Sequence, residues 1–472
     1  MSGVHTFAGP FEADMPVVII GGGAAGLIAA LAAHEAGASP LVIERDAVPA
    51  GSTALSAGLI PAAGTRWQAA AGISDSAAAF AADIMAKAKS EPDPALVGLL
   101  AGSAGDIVAW LADRHGLNFS LQADFRYPGH SACRMHALPS RSGRELIDAL
   151  RSAVERAGID ILCNAHVTGL FASGSLVTGV EITRPDGGAE RVGCQALVLA
   201  CNGYGGNKAM VAEHIPSLKD ALYFGHPGNQ GDALLWGAAL GGAVRHLSGH
   251  QGHGSVAHPA GILITWASMT EGGIQVNRHG LRFSNEMHGY SEQAATVLAQ
   301  PDGVAWTVFD GRIAEIARQF EDFRLAEQAG IVLTAQNAAH LAVAMHVPAA
   351  ALVATLAEVA ALKAGGVDVF GRNFTAKPVL QAPLHAIRVT GALFHTQGGL
   401  VVDTGARVVD DAGQPLPNLL AAGGAACGVS GSHAAGYLSG NGLLAAVVLG
   451  ATAGRQASRL IQQARSQDPA RG

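Results

Sequence analysis

The chain has 472 residues, is 49% hydrophobic and 14% charged, and carries a formal net charge of -7. This composition excludes a disordered chain, and the lack of any basic run or stripe removes the electrostatic footprint of a nucleic-acid binder. What remains is a globular protein with core enough for two or three domains and a small molecule as its partner.

Glycine, at 62 residues, exceeds the usual share of roughly 7%. It falls in clusters rather than in a repeat, the pattern of a backbone that approaches a ligand closely. The five cysteines (Cys133, Cys163, Cys194, Cys201 and Cys427) form no C-x-x-C pair. Neither a disulfide framework nor a zinc ribbon is expected, and a reducing compartment fits. The N-terminus "MSGVHTFAGPFEADMP" lacks the basic and apolar regions of a secretory signal, which suggests a cytoplasmic protein. The most apolar stretches, 17–33 and 441–454, are broken by glycine or too short to cross a membrane.

In chain order, the first element is "PVVIIGGGAAGLIAALAAHEAGASPLVIERD". It reads as a buried strand (Val17–Ile20), a glycine turn, a helix from about Ala24 to Ala36, and a strand ending at Glu44, with G-x-G-x-x-G at Gly21, Gly23 and Gly26. Gly21 permits the tight turn, Gly23 lets backbone approach a pyrophosphate, and Gly26 allows helix and strand to pack; the helix N-terminus then offers N–H donors to phosphate. Glu44, 23 residues after Gly21, is placed to accept from both ribose hydroxyls, which disfavours a 2′-phosphate. A dinucleotide is expected, and this unit alone leaves NAD and FAD both open.

Next comes "AGSTALSAGLIPAAGT" (50–65), small and hydroxylic, suited to lie under a flat ring system. Helices are expected over 74–115 and 141–157. "ALVLACNGYGGNK" (196–208) is a strand running into a glycine turn, 398–424 a hairpin followed by a buried strand, and 440–458 a helix entered through glycine. The tail "SQDPARG" is expected to be disordered. The run "HLSGHQGHGSVAH" holds His246, His250, His253 and His258, but its glycines spoil the helix that H-x-x-x-H ligation prefers. No metal is expected.

Six blocks then occur in one order: "IIGGGAAGLIAA", "GDALLWGAALGGA", "LIT" with "EGGIQVNRHGLRFSNE", "HTQGGLVVDT", "LPNLLAAGG" and "GNGLLAAVVLG". In this the chain resembles the flavoproteins of the fumarate reductase and succinate dehydrogenase superfamily, which also holds urocanate reductases and 3-ketosteroid dehydrogenases. The resemblance implies FAD and an α/β fold with an α+β cap. The FAD domain would be Rossmann-like, of the glutathione-reductase type, over 10–249 and 395–472, with a capping or substrate domain over 250–394.

It also implies FAD contacts at Gly21, Gly23, Ala24, Ala25, Gly26, Glu44 and Arg45, and at Ser52, Thr53, Ser56, Ala57 and Gly58. Further contacts would come from Val167, Ala200, Asn202, Gly203 and Asp232, and from Gly423, Gly424, Gly440, Asn441 and Leu443. The histidine that anchors flavin covalently in succinate dehydrogenases is replaced by Ser52, so the FAD is expected to be non-covalent. A family glutamate is replaced by Gly424.

The active site implied by the resemblance departs from that of dicarboxylate reductases. Their proton-donating arginine falls on, or one residue from, Tyr290 in "RFSNEMHGYSEQ", and no arginine lies between 283 and 311. Their threonine–glutamate pair becomes Thr265 and Trp266, while family-like histidines remain at His253 and His395. A dicarboxylate needs cations, because buried carboxylates without charge-assisted donors are costly.

The expectation is therefore an oxidoreductase on CH–CH bonds that interconverts a ketone and its α,β-unsaturated form. Tyr290 would move the proton, assisted by His288 or His433, and Tyr437 and the Gly436 amide would hold the carbonyl. A reductase of a fumarate- or urocanate-type acid, with Arg134 replacing the lost arginines, and a flavin-binding protein without turnover are the alternatives. The electron partner is not readable.

Overall fold

The computed structural model describes residues 3–467. The chain forms two compact units, Met1–Ile215 with Gly225–His250 and His395–Gly472, and Pro216–Phe224 with Gln251–Phe394. The excursion 216–224, assigned on sequence to the first unit, joins the second because Leu222 and Tyr223 pair in parallel with Ala392 and Leu393.

In the first unit a nine-stranded sheet has strand Ala13–Ile20 near its centre. Ala189–Leu199 and Pro40–Ile43 flank it in parallel, Asp160–Leu162 continues that side, and Pro415–Ala421 also runs parallel to Ala189–Leu199. Beyond Ala189–Leu199 the sheet turns antiparallel through Leu176–Thr183 and His166–Ser173. Val17 to Ile20 are buried, as expected of a strand covered on both faces.

Helix Ala24–Glu35 covers the sheet with ten of its twelve residues buried. Its partner is helix Asn441–Gln467, which approaches so closely that a Cβ on Gly450 or Gly454 would stand 2.5 or 2.1 Å from the Ala25 or Ala29 carbonyl. Only small residues permit that backbone contact. The last helix runs nine residues beyond the expected 458, because no glycine or proline interrupts its last turns and Ala457 and Ile461 find the core. It takes in Ser466 and Gln467 of the expected disordered tail, and 468–472 lie outside the described residues.

The expected helices over 74–115 and 141–157 are Ala77–Lys87, Pro94–His115 and Gly143–Arg156. Among the described residues, Pro94–His115 is the one helix long and apolar enough to cross a membrane. Eight of its residues, from Leu96 to Leu111, are buried in the core of the first unit. Asp93 caps its start and Gly116 its end, as in a packed core helix.

The second unit is built on a seven-stranded sheet ordered Ile262–Leu263, His250–Ala257, Leu384–Thr396, Val304–Asp310, Ile274–Val276, with two short strands beside Leu384–Thr396. Two apolar clusters form its core, one around Leu341, Leu352 and Phe374, the other around Phe309, Phe323 and Ile387.

Candidate active site

The glycine turn of the first unit is dictated by its backbone. Gly21 has φ +107° and a Cβ there would lie 2.6 Å from the Ala200 carbonyl, while a Cβ on Gly26 would stand 1.9 Å from the Gly21 carbonyl. Gly23 is different. It is the N-cap of helix Ala24–Glu35 with no side-chain cap, and the nearest atom to a Cβ there is Thr53 Oγ1 at 3.6 Å. The helix start is thus left open, with the Ala24 N–H donated to Thr53 Oγ1. Glu44 is buried beneath the turn and accepts from the Gly22 N–H at 2.7 Å and the Asp46 N–H at 3.0 Å. A carboxylate with two oxygens keeps further acceptor capacity for hydroxyls.

Around this turn the other expected cofactor residues gather. Ser52 Oγ accepts from the His226 N–H, Asn229 Nδ2 and Asn202 Nδ2. The Asn202 Oδ1 accepts from the Gly203 N–H, and a Cβ on Gly424 would lie 2.0 Å from that same oxygen. The glutamate of the family therefore has no room at 424 while Asn202 holds its place. Arg45 reaches Asp232, His166 and the Gly228 carbonyl. Ser56 and Gly58 close a tight turn on which the Gly143 N–H also docks. Ala57 is exposed and Val167 and Ala200 are buried. Gly423 stands against Ala25. Gly440 (φ +89°) opens helix Asn441–Gln467, with Leu443 in its first turn.

Beside this cradle, two buried atoms among the described residues have no hydrogen-bond partner, Thr396 Oγ1 and Asn441 Oδ1. Leaving such groups unpaired costs about 1–3 kcal/mol each, so a polar ligand is called for. The open helix start, the acceptor capacity of Glu44, the glycine lining and these two orphaned oxygens fit FAD.

His395 is half-buried here, with Nδ1 2.9 Å from the Thr396 carbonyl, so the ring proton sits on Nδ1. Gln397 Nε2 is 2.9 Å from both ring nitrogens, which puts the amide over the ring face. Gln397 also accepts from Ser430, and Ser430 from Asn441. Burial lowers the His395 pKa. Tyr437 meets this imidazole edge-on at 5.8 Å, and burial pushes its hydroxyl up to about 12. The Gly436 N–H donates to the His433 carbonyl within a short turn, so a substrate oxygen would have to share it. Position 436 needs glycine because a Cβ would stand 1.9 Å from the Ser430 carbonyl. His433 faces Glu91 at 3.6 Å.

In the second unit Tyr290 is the first residue of helix Tyr290–Leu298, entered through Gly289. His288 is exposed, and the imidazole beside Tyr290 is that of His253. His253 is stacked between Tyr290 at 5.1 Å and Phe394 at 5.4 Å, and Phe224 stacks on Phe394 at 4.8 Å. Trp266 meets both His253 and Tyr290 edge-on, at 5.6 and 6.4 Å. Burial among these rings lowers His253 to about 3, so it is neutral. The Ser255 N–H is donated to its Nδ1, which places the proton on Nε2.

The polar sequence ahead of Tyr290 is ordered by buried charge. Glu286 accepts from Arg282, Arg372 and the Gln275 N–H, and Arg282 also binds Asp368. Gly252 donates to Ser291 Oγ, tying the His253 strand to the Tyr290 helix.

Arg134 proves to be an internal residue, 1% exposed and ion-paired with Asp75 and Asp83. It cannot also clamp a substrate carboxylate. His136 is buried against Thr65 and the Arg134 carbonyl. Among the described residues no group of three or more histidine, cysteine or carboxylate side chains could hold a metal ion.

Residues 16–443 match the FAD binding domain family. Over 96% of its length the chain is 31% identical to the probable fumarate reductase Ifc3 of Shewanella frigidimarina, covering 76% of that protein. It is 27% identical to the 4-oxocyclohexanecarboxylate 2-dehydrogenase of Sinomonas cyclohexanicum, over 89% of this chain and 88% of that protein. The open conformation of a flavocytochrome c3 fumarate reductase superposes with a TM-score of 0.83 at 30% identity, covering 96% of this chain and 79% of the other. Fold, cradle and relatives together define an FAD-dependent oxidoreductase. The chain belongs to the FAD binding domain family and, within it, to the fumarate reductase flavoproteins.

Proposed function

We propose that the enzyme interconverts a ketone and its α,β-unsaturated form, with Tyr290 as the proton-transfer residue. The observation that carries this reading is the column Phe224–Phe394–His253–Tyr290 with Trp266 at its edge, in which the one titratable ring beside Tyr290 is held neutral. Such a wall suits an uncharged, preferably cyclic substrate, since an anion there would lose its hydration without gaining a cation. Bound FAD supplies the two-electron acceptor or donor for hydrogen at the β carbon.

The chain's own residues have the remaining tasks. Tyr290 takes the proton from the α carbon as phenolate, or delivers it as phenol in the reverse direction. Neutral His253 offers an Nε2–H donor without charge. Tyr437, held protonated by burial, is the proposed donor to the carbonyl oxygen, where negative charge develops as the enolate forms. The first unit is read as a glutathione-reductase-type FAD domain, on the strength of its parallel strands and open helix start, and the second as the substrate domain. A non-covalent flavin accords with Ser52, whose hydroxyl is engaged by three donors.

The identity to fumarate reductases favours a second reading, reduction of an unsaturated acid. It needs a cation free to face the substrate, and Arg134, Arg282 and Arg372 are each held by buried carboxylates.

Anaerobic mixing decides between them. Dithionite-reduced enzyme should be reoxidised by 2-cyclohexen-1-one, and cyclohexanone should bleach the oxidised flavin. Reoxidation by fumarate or urocanate but not by the enone would sink the ketone reading.

A further inference from the structure

The guanidinium of Arg134 is gripped on all sides. Nε and Nη2 bond Asp75 at 3.0 and 2.9 Å, Nη1 bonds Asp83, Nη2 also reaches Ser131 Oγ, and the plane lies 4.5 Å from the Phe80 ring centroid. One bond leads out of this cluster. Nη1 is 3.3 Å from Nδ1 of His130, and a guanidinium can only donate, so Nδ1 accepts and the imidazole proton sits on Nε2. That Nε2 stands 2.9 Å from the Ser439 carbonyl. Burial, reinforced by the adjoining cation, lowers His130 to about 4, so this neutral tautomer persists at ordinary pH.

Ser439 lies in the turn between Tyr437 and helix Asn441–Gln467. Glycines at 436, 440 and 442 give this segment little rigidity of its own. The backbone bonds here run from the Asn441 N–H to Leu438 and from the Leu444 N–H to Gly440, and the carbonyl between them, that of Ser439, receives His130. The same loop presses from Gly129, where a Cβ would lie 2.7 Å from Leu438 Cδ1.

We propose that Arg134 and His130 are positioning residues: the Asp75–Arg134–Asp83 cluster is a fixed post, and His130 transmits its position to the Ser439 carbonyl, holding the Tyr437–Asn441 turn in one place. This deepens the proposed function and rests on it only for the role of Tyr437; the grip on the turn stands apart from the substrate.

The test is hydrogen–deuterium exchange on FAD-loaded enzyme, combined with turnover of reduced enzyme by 2-cyclohexen-1-one. In His130→Leu, exchange over 437–442 should rise about tenfold while strand Ala13–Ile20 and the FAD content stay as in the wild type. The kcat should fall about tenfold with KM within about twofold, the signature of a displaced group rather than lost binding. His130→Gln, which keeps a donor, should restore both. His130→Asn, polar but too short to reach Ser439, gives the same reading should the leucine variant not fold. Unchanged exchange over 437–442, or loosening spread through the whole unit with loss of FAD, would overturn the proposal. Should the enone fail to reoxidise even wild-type enzyme, the ketone reading falls while the exchange comparison still decides this one.

Discussion

His253 is buried and His395 half-buried, and desolvation lowers the pKa of each, yet their surroundings are opposites. His253 is walled by Tyr290, Phe394 and Trp266 and carries its proton on Nε2; His395 sits in a polar web of Thr396, Gln397, Ser430 and Asn441 and carries its proton on Nδ1. The difference teaches that a histidine can be kept from taking a proton by a wall of rings or by a polar web alike. Burial sets the charge, and the neighbouring backbone group sets which nitrogen carries the hydrogen.

The largest effect should come from removing the support of the His253 side. Arg372→Met leaves Glu286 buried with Arg282 as its only cation, at a cost of about 3–5 kcal/mol. Urea denaturation should show this loss, and fluorescence of Trp266 should show the ring column loosened. A midpoint shift worth less than about 1 kcal/mol would show that Arg282 alone suffices.

Tyr290→Phe keeps the ring and its stacking on His253 and removes the hydroxyl. Activity on 2-cyclohexen-1-one should fall about 100-fold or more, with unfolding unchanged. Full activity would remove Tyr290 from the chemistry.

Acid sharpens the comparison further. An unfolded histidine takes its proton near 6.5, but folded His253 does so only near 3. Its contribution to stability is therefore complete above pH 6.5 and is lost as the pH falls toward the folded value. His253→Gln should abolish about 2 kcal/mol of the stability lost between pH 7 and pH 5. His130 and His136, each lowered to about 4 by burial, give the same sign, so the variant should flatten the profile without levelling it.

The smallest effect belongs to the polar web. Gln397→Leu removes the amide over His395 and the acceptor of Ser430, at a cost of about 1 kcal/mol. Isotope-edited NMR should then show the His395 pKa still depressed, since leucine keeps the desolvation that lowers it; a rise toward its ordinary value would mean that the amide holds it down.

The cofactor cradle was legible because it rests on backbone geometry. Gly21 and Gly26 are required by their own turn, and Glu44 is placed by the strand that carries it, all within one βαβ unit. The ring column was not legible as a unit. Residues 224, 253, 266, 290 and 394 are scattered along the chain, and no local period links them. The adjacency of Phe394 to His395, and the aromatic pair Tyr223–Phe224 in the segment 216–224, were the available signals. Arg134 misled for a related reason: a sequence shows a cation but not Asp75 and Asp83, which neutralise it.

The sequence by itself determined the class of cofactor and the order of the main elements. Each of these is carried by residue type and short-range spacing. Only the tertiary structure decided that His253 is the ring beside Tyr290, that Arg134 is held by Asp75 and Asp83, and that desolvation lowers the pKa of His253 and of His395. Protonation and partnership depend on what burial removes from water and on which distant groups arrive alongside, and both are set when the chain has folded.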